Sequence, residues 1–279
     1  MEKIIETVSC KNSTEIESVP MDLIESKKAL IDPALLNRAH DPKRWQNIDW
    51  SPKVNPKEID IVVASYNENL WYVDNLEALG YNVIVYNTSE LGINRFVPGK
   101  NNEPCDIKPI KSKKIPNQSQ EASQWLHHLV HERKSLNNFN IFLQGDLGYS
   151  LRIPLFEGVG PDRFMEILVF LNTFSPNQNW LNVPVNQTTI ERVSPDVRKK
   201  FQHFFEPFEP PDIVPRYLGP SVAGGQFLIS RSNISRIPES HVEKLWNYTA
   251  TNHRAAWEFE YHWGLLLDAY GCVWPYKNL

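Results

Sequence analysis

Three short polar clusters in this chain carry groups able to do chemistry: Ser65-Tyr66-Asn67-Glu68, Asn87-Thr88 and Gln144-Gly145-Asp146. Each ends an apolar run. In open α/β sheets ligands bind beyond the carboxyl ends of the strands, so polar residues placed there weigh more than polar residues elsewhere. Short polar residues also punctuate ordinary strand-to-loop junctions, and it is the recurrence of the pattern three times that points to a site. Asp146 is the residue of this set suited to a divalent cation, because a carboxylate at a strand end can share the ion with a diphosphate, and Gly145 permits close approach. No second acid stands within two residues of Asp146, and capping of the next turn is the alternative use of its side chain. Near the C-terminus, Trp257-Glu258-Phe259-Glu260-Tyr261-His262-Trp263 sets two carboxylates among aromatic rings. Partial desolvation there raises a carboxyl pKa toward the range of a general base, and the rings suit stacking on sugar or nucleobase faces. The structural alternative is an amphipathic helix with Trp263 and Leu266 in the core and one Glu facing water.

His127, His128 and His131 fall within one helical pattern, and His127 and His131 form an i,i+4 pair. His128 occupies the position where H-E-x-x-H requires Glu, so the run reads as a solvated or hydrogen-bonded helix face and no zinc is assigned. There is no G-x-G-x-x-G after the first strand, no G-x-x-x-x-G-K-[ST] and no G-x-S-x-G. Their absence argues against a Rossmann dinucleotide enzyme, a P-loop ATPase and an ordinary α/β-hydrolase.

The elements that must position these groups follow from apolar periodicity. Glu58 to Tyr66 contains the continuous β-branched run of a strand buried on both faces. Asn69 to Leu79 has helical spacing and stops at Gly80, and Tyr81 to Asn87 is a second strand, so strand, helix and strand make one βαβ unit and a parallel sheet. Thr88 to Ile115 reads as a long irregular, lysine-rich loop. Gln120 to Arg133 predicts a helix, Asn140 to Gln144 a buried strand, and Phe164 to Leu171 a buried helix. Residues 175–220 read as loop, since Pro207, Pro210, Pro211, Pro215 and Pro220 bar long helices. Gly224 to Ser230 supplies a short strand, and Ser240 to Thr249 and Ala255 to Ala269 the last two helices. Residues 1–57, polar and proline-punctuated, read as an arm or lead-in to one α/β domain over 58–279.

The bulk composition bounds the class. A chain of 279 residues with 41% hydrophobic and 11% aromatic content can bury a sizeable core. A formal net charge of −4 gives no global basic field, so nucleic acid is not an expected partner. Cys10, Cys105 and Cys272 are far apart and lack C-x-x-C spacing, as for free thiols in a reducing compartment. The acidic N-terminus has no apolar core of a signal peptide, and no stretch reaches the roughly 18–20 apolar residues of a membrane span. A cytoplasmic location is the expectation, with the Asn-x-Thr sequons idle.

An ordered set of short motifs adds a resemblance. Ile61 to Glu68, Pro116-Asn117 with Glu121, Trp125-Leu126-His127-His128, Phe142-Leu143-Gln144-Gly145, Gly225-Gln226-Phe227 with Ser230-Arg231, and Glu260 with Trp263 resemble domain of unknown function 3431 over about residues 58–268. That family is similar to nucleotide-sugar glycosyltransferases of the A-type fold. The resemblance implies a single Rossmann-like, mainly parallel sheet flanked by helices, and hexosyl or pentosyl transfer from a nucleotide sugar to a glycan or other hydroxyl acceptor. It implies that Ser65, Tyr66 and Glu68 face the nucleotide, with Asn67, Asn87, Gln144, Gly145 and Gln226 on the same binding surface. Asp146 stands for the acid that holds Mn2+ or Mg2+, and Glu260 or Glu258 for the base. Gln144 departs from the pattern, standing where the first acid of D-x-D belongs, and Arg152, Arg216 or Arg231 could neutralise the diphosphate instead. A non-catalytic carbohydrate- or nucleotide-binding module is the alternative, and a phosphoesterase would need a convergent His and Asp cluster.

Overall fold

The computed structural model describes residues 52–66, 68, 70, 72–89, 94–97, 106–109, 111–145, 159–174, 176, 180–182, 226–253, 255, 256, 258, 259 and 263. The β-branched run becomes β1 (Ile59–Ser65), in which every residue is buried. It pairs in parallel with β2 (Asn82–Asn87) on one side and β6 (Phe139–Gln144) on the other. In chain order β3 (Asn94–Val97), β4 (Asp106–Pro109) and β5 (Lys113–Lys114) come between β2 and β6, and β7 (Trp180–Asn182) and β8 (Phe227–Ser230) follow. The main sheet has the order β5-β2-β1-β6-β8-β7. β5 runs parallel to β2, and β8 runs antiparallel to both β6 and β7, so β8 alone opposes the common direction of this sheet. The expected α/β class with a mainly parallel sheet is therefore present.

Side-chain alternation decides the layers. Ile59, Ile61 and Val63 pack with α1 (Val73–Ala78) and α3 (Val159–Thr173), whereas Val62 and Ala64 pack with α2 (Gln120–His131) and α5 (Glu239–Thr251). Helices thus cover both faces, which is why β1 reads as an unbroken apolar run from Ile61 to Ala64. α1 starts later than its apolar spacing predicts, after a turn in which Leu70 accepts the Val73 N–H. Its end is as expected: Gly80 has φ +90°, and the Tyr81 and Gly80 amides return to the Leu76 and Glu77 carbonyls.

Three expectations need correction. Residues 88–115 are not wholly irregular, because β3 and β4 form an antiparallel ribbon with Arg95 opposite Lys108, and β5 extends the sheet edge. Strands of two to four residues show too few alternations to be read, and only pairing with a distant segment defines them. The same holds for β7 within the segment predicted as loop. A helix absent from the sequence reading, α4 (Arg231–Arg236), begins where the Ser230 hydroxyl caps the Asn233 N–H at 3.3 Å. The N-terminal arm lies outside the described residues as far as 51, but Val54 already packs in the core with β1 and Asn55 caps a 3-10 turn at Pro56–Glu58. The predicted final helix is helical at Ala255, Ala256, Glu258, Phe259 and Trp263, with Trp263 buried as expected and Leu266 outside the described residues.

Asp60 anchors the sheet at the amino ends of its strands. Its buried carboxylate accepts the Asn82 Nδ2 at 2.5 Å, the Asn137 N–H at 2.9 Å and the Asn137 Nδ2 at 2.7 Å. A charge removed from water is tolerable only when so bonded. Among the described residues no helix is long and apolar enough to cross a membrane.

Candidate functional site

The chain steps from β1 outward to β2 and β5, then returns through α2 to β6 on the other side of β1. The strand order reverses between β1 and β6, and in doubly wound sheets that reversal opens a crevice at the carboxyl ends of the two strands. The parallel register sets Ala64 beside Gln144, and Ser65 beside Asn87. The strand ends singled out from sequence thus converge, with Ser65, Tyr66, Glu68, Asn87, Gln144 and Gly145 at one edge of the sheet.

Glu68 organises this edge. Its Oε2 accepts the Ser65 hydroxyl at 2.6 Å and the Tyr66 N–H at 2.7 Å. The carboxylate turns back toward the strand end that precedes it, which makes Glu68 a clamp on that end. The same oxygen would lie 2.9 Å from a Cβ at position 145, and the Ala64 carbonyl 3.0 Å from it. A side chain at position 145 would therefore press on the Glu68 carboxylate and the Ala64 carbonyl, which gives Gly145 a packing role beside the expected room for a ligand. The turn leaves Tyr66 49% exposed, although it follows seven buried residues. An exposed ring held on a rigid strand end is a stacking surface.

From the α2 face, Gln124 fixes the same point. Its Oε1 accepts the Ser65 N–H at 2.9 Å, and its Nε2 donates to the Ser65 carbonyl at 3.3 Å and to Thr88 Oγ1 at 3.4 Å. The amide completes hydrogen bonds that a further strand residue would otherwise make, and so ends β1 in a defined position. Three residues earlier on α2, Glu121 accepts Gln144 Nε2 at 3.4 Å. On the opposite face, the Tyr72 hydroxyl reaches the Gln144 and Gly145 carbonyls, both at 3.2 Å. Sequence reasoning missed Gln124 and Tyr72, and used Glu121 only as a motif member. The available signal was the polar series Glu121, Gln124, His128 at helical spacing through the apolar stripe of Ala122, Trp125, Leu126 and Leu129.

The remaining predicted residues have partners of their own, stand on other strands or lie outside the described residues. Asn87 is buried, and its Oδ1 accepts the Ser89 N–H at 2.7 Å, forming its own turn. Gln226 immediately precedes β8, on the far side of β6 from β1. Glu258 accepts the Tyr248 hydroxyl at 2.9 Å and the Asn252 Nδ2 at 3.4 Å. Burial, then the Glu258 carboxylate, pushes the Tyr248 hydroxyl up to about 12. The Asn252 carbonyl accepts the Ser119 hydroxyl at 2.8 Å, so this cluster adjoins the start of α2. Asn67, Asp146 and Glu260 lie outside the described residues.

The histidine run divides by face. His128 is fully buried, with Nδ1 3.1 Å from the Tyr86 hydroxyl, and burial holds its pKa down at about 4. The His127 and His131 rings lie 4.2 Å apart between centroids, tilted to each other and edge-on to Trp246, and burial followed by the neighbouring His131 lowers the pKa of His127 to about 4. Among the described residues no three His, Cys, Asp or Glu side chains form a metal-holding group. Of the acids placed at the crevice, Glu68 is bonded to Ser65 and Tyr66 and Glu121 to Gln144, so the described donors do not by themselves make a cation site. The cation expectation rests on Asp146.

No family model, no curated protein and no solved structure matches this chain.

Proposed function

We propose that the chain is a glycosyltransferase that takes a nucleotide-sugar donor at the carboxyl ends of β1 and β6, within an α/β fold of the A type. The observation that carries the proposal is the convergence of the two polar strand ends at the reversal of strand order, where Glu68 and Gln124 hold the end of β1 and present Tyr66 to solvent. Such a crevice suits a nucleoside diphosphate: the ring offers a stacking face for base or ribose, and the small Gly145 keeps the adjoining strand end low. In this reading Asp146 would hold a Mn2+ or Mg2+ ion, and that cation or an arginine would neutralise the diphosphate leaving group. Glu260 or Glu258 removes the acceptor proton.

A specific contact favours the second reading, a binding module without chemistry. Gln144, at the place of the first acid of the metal motif, is tied to Glu121. Thermal-shift screening against nucleotide sugars, with and without Mn2+, followed by product analysis, separates the two readings, because a transferase turns over the donor that stabilises it and a binder does not. Asp146→Asn is expected to abolish turnover with the fold intact, and normal turnover in that variant removes the proposed centre of catalysis.

A further inference from the structure

Gln226 is 2% exposed, and its Oε1 has no hydrogen-bond partner among the described residues. A buried amide oxygen without a donor is uncommon in folded proteins and is a standing cost to the fold. Its position gives that cost a use. β6 and β8 are antiparallel, with Ile141 opposite Leu228 and Phe142 opposite Phe227, and continuing the register sets Gln226 opposite Leu143, one residue before the Gln144 strand end. Phe227 packs on the α2 face and Leu228 on the α1 and α3 face. The alternation therefore turns Gln226 to the α1 and α3 face, that of Leu143 and Tyr72, whose hydroxyl holds the Gln144 and Gly145 carbonyls. Two strand spacings separate β8 from β1, about 10 Å. A nucleoside diphosphate laid across the end of β6 can bridge a separation of that order.

An acceptor with no donor calls for a ligand rich in hydroxyls. We infer that Gln226 receives a hydroxyl of the donor's sugar, and so selects the sugar while the β1 end holds the nucleotide. This inference rests on the donor reading above and deepens it. A Gln→Leu change at such a position removes the unsatisfied oxygen along with the ligand contact, which gives the role a signature that a structural amide lacks.

The test is calorimetric titration of the full chain and of Gln226→Leu and Gln226→Met with UDP-glucose, UDP, GDP-mannose and GDP, alongside thermal unfolding of each protein. The affinity ratio of sugar nucleotide to parent diphosphate is expected to fall about tenfold in both variants, the worth of one neutral hydrogen bond, with diphosphate affinity held within about twofold and unfolding temperatures not lowered. An unchanged ratio, or an equal loss for diphosphate and sugar nucleotide, overturns the assignment to the sugar. A lowered unfolding temperature in both variants also overturns it, by showing that the amide is paired within the fold or through an ordered water. Wild-type protein that binds diphosphates without gain from the sugar refutes this inference alone. Binding of none of the four removes the donor reading as well.

Discussion

Gly145→Ala tests whether the two strand ends form one packed unit. The added Cβ would sit 2.9 Å from Glu68 Oε2 and 3.0 Å from the Ala64 carbonyl, where ordinary contact begins near 3.4 Å. Gly145 does not have the positive φ of Gly80, so the cost is steric and not conformational. Ala64 is paired in register with Gln144 and cannot retreat without opening the ladder, which leaves the Glu68 carboxylate to move. Moving it breaks the bonds from the Ser65 hydroxyl and the Tyr66 N–H. Bonds to a charged acceptor contribute about 1.5–3 kcal/mol each, and water at this half-open edge returns part of that, so a net loss of about 2–3 kcal/mol is expected. Urea unfolding measures it. In a Glu68→Ala background the carboxylate is gone and Gly145→Ala meets only the Ala64 carbonyl, so its cost is expected to drop to about 1 kcal/mol, a coupling of about 1–2 kcal/mol. Additivity of the two substitutions within about 0.5 kcal/mol refutes the clamp.

Acid should weaken the fold through His128. Its folded pKa of about 4 lies below the ordinary 6.5, so the unfolded chain takes up the proton first. The stabilisation is complete above pH 6.5 and is lost as pH falls toward 4, by about 3 kcal/mol for this buried ring. Buried His241, lowered to about 4 mainly by burial, acts in the same direction. Urea midpoints that stay constant between pH 7.5 and 5 contradict this. Asp60→Ala strands the Asn82 and Asn137 donors at the opposite end of the sheet and is expected to cost about 3 kcal/mol without changing ligand affinity in the protein that remains folded. A stability loss under 1 kcal/mol in chemical unfolding would show that the buried carboxylate is not an anchor.

The parts of this fold legible in the sequence are those written in long local patterns. β1 announced itself as a β-branched run because helices cover both of its faces, and α2 through the spacing of Ala122, Trp125, Leu126 and Leu129. The end of α1 was readable because one glycine supplies the left-handed residue that its termination uses. The ribbon of β3 and β4 was not, since four-residue strands acquire meaning only from their partner. Site position followed from strand ends, but side-chain roles did not. Glu68 looked like a ligand contact until its carboxylate was found bonded to the chain two and three residues before it. Gln124 lies 59 residues from Ser65, a distance no local motif crosses.

The most direct test of the account is a crystal of the full chain soaked with UDP and GDP, alone and with Mn2+. Diphosphate density is expected at the carboxyl ends of β1 and β6, against Gly145, with the base or ribose on the Tyr66 ring. Density at another surface, or none at saturating nucleotide when the crevice is open to solvent channels, contradicts it.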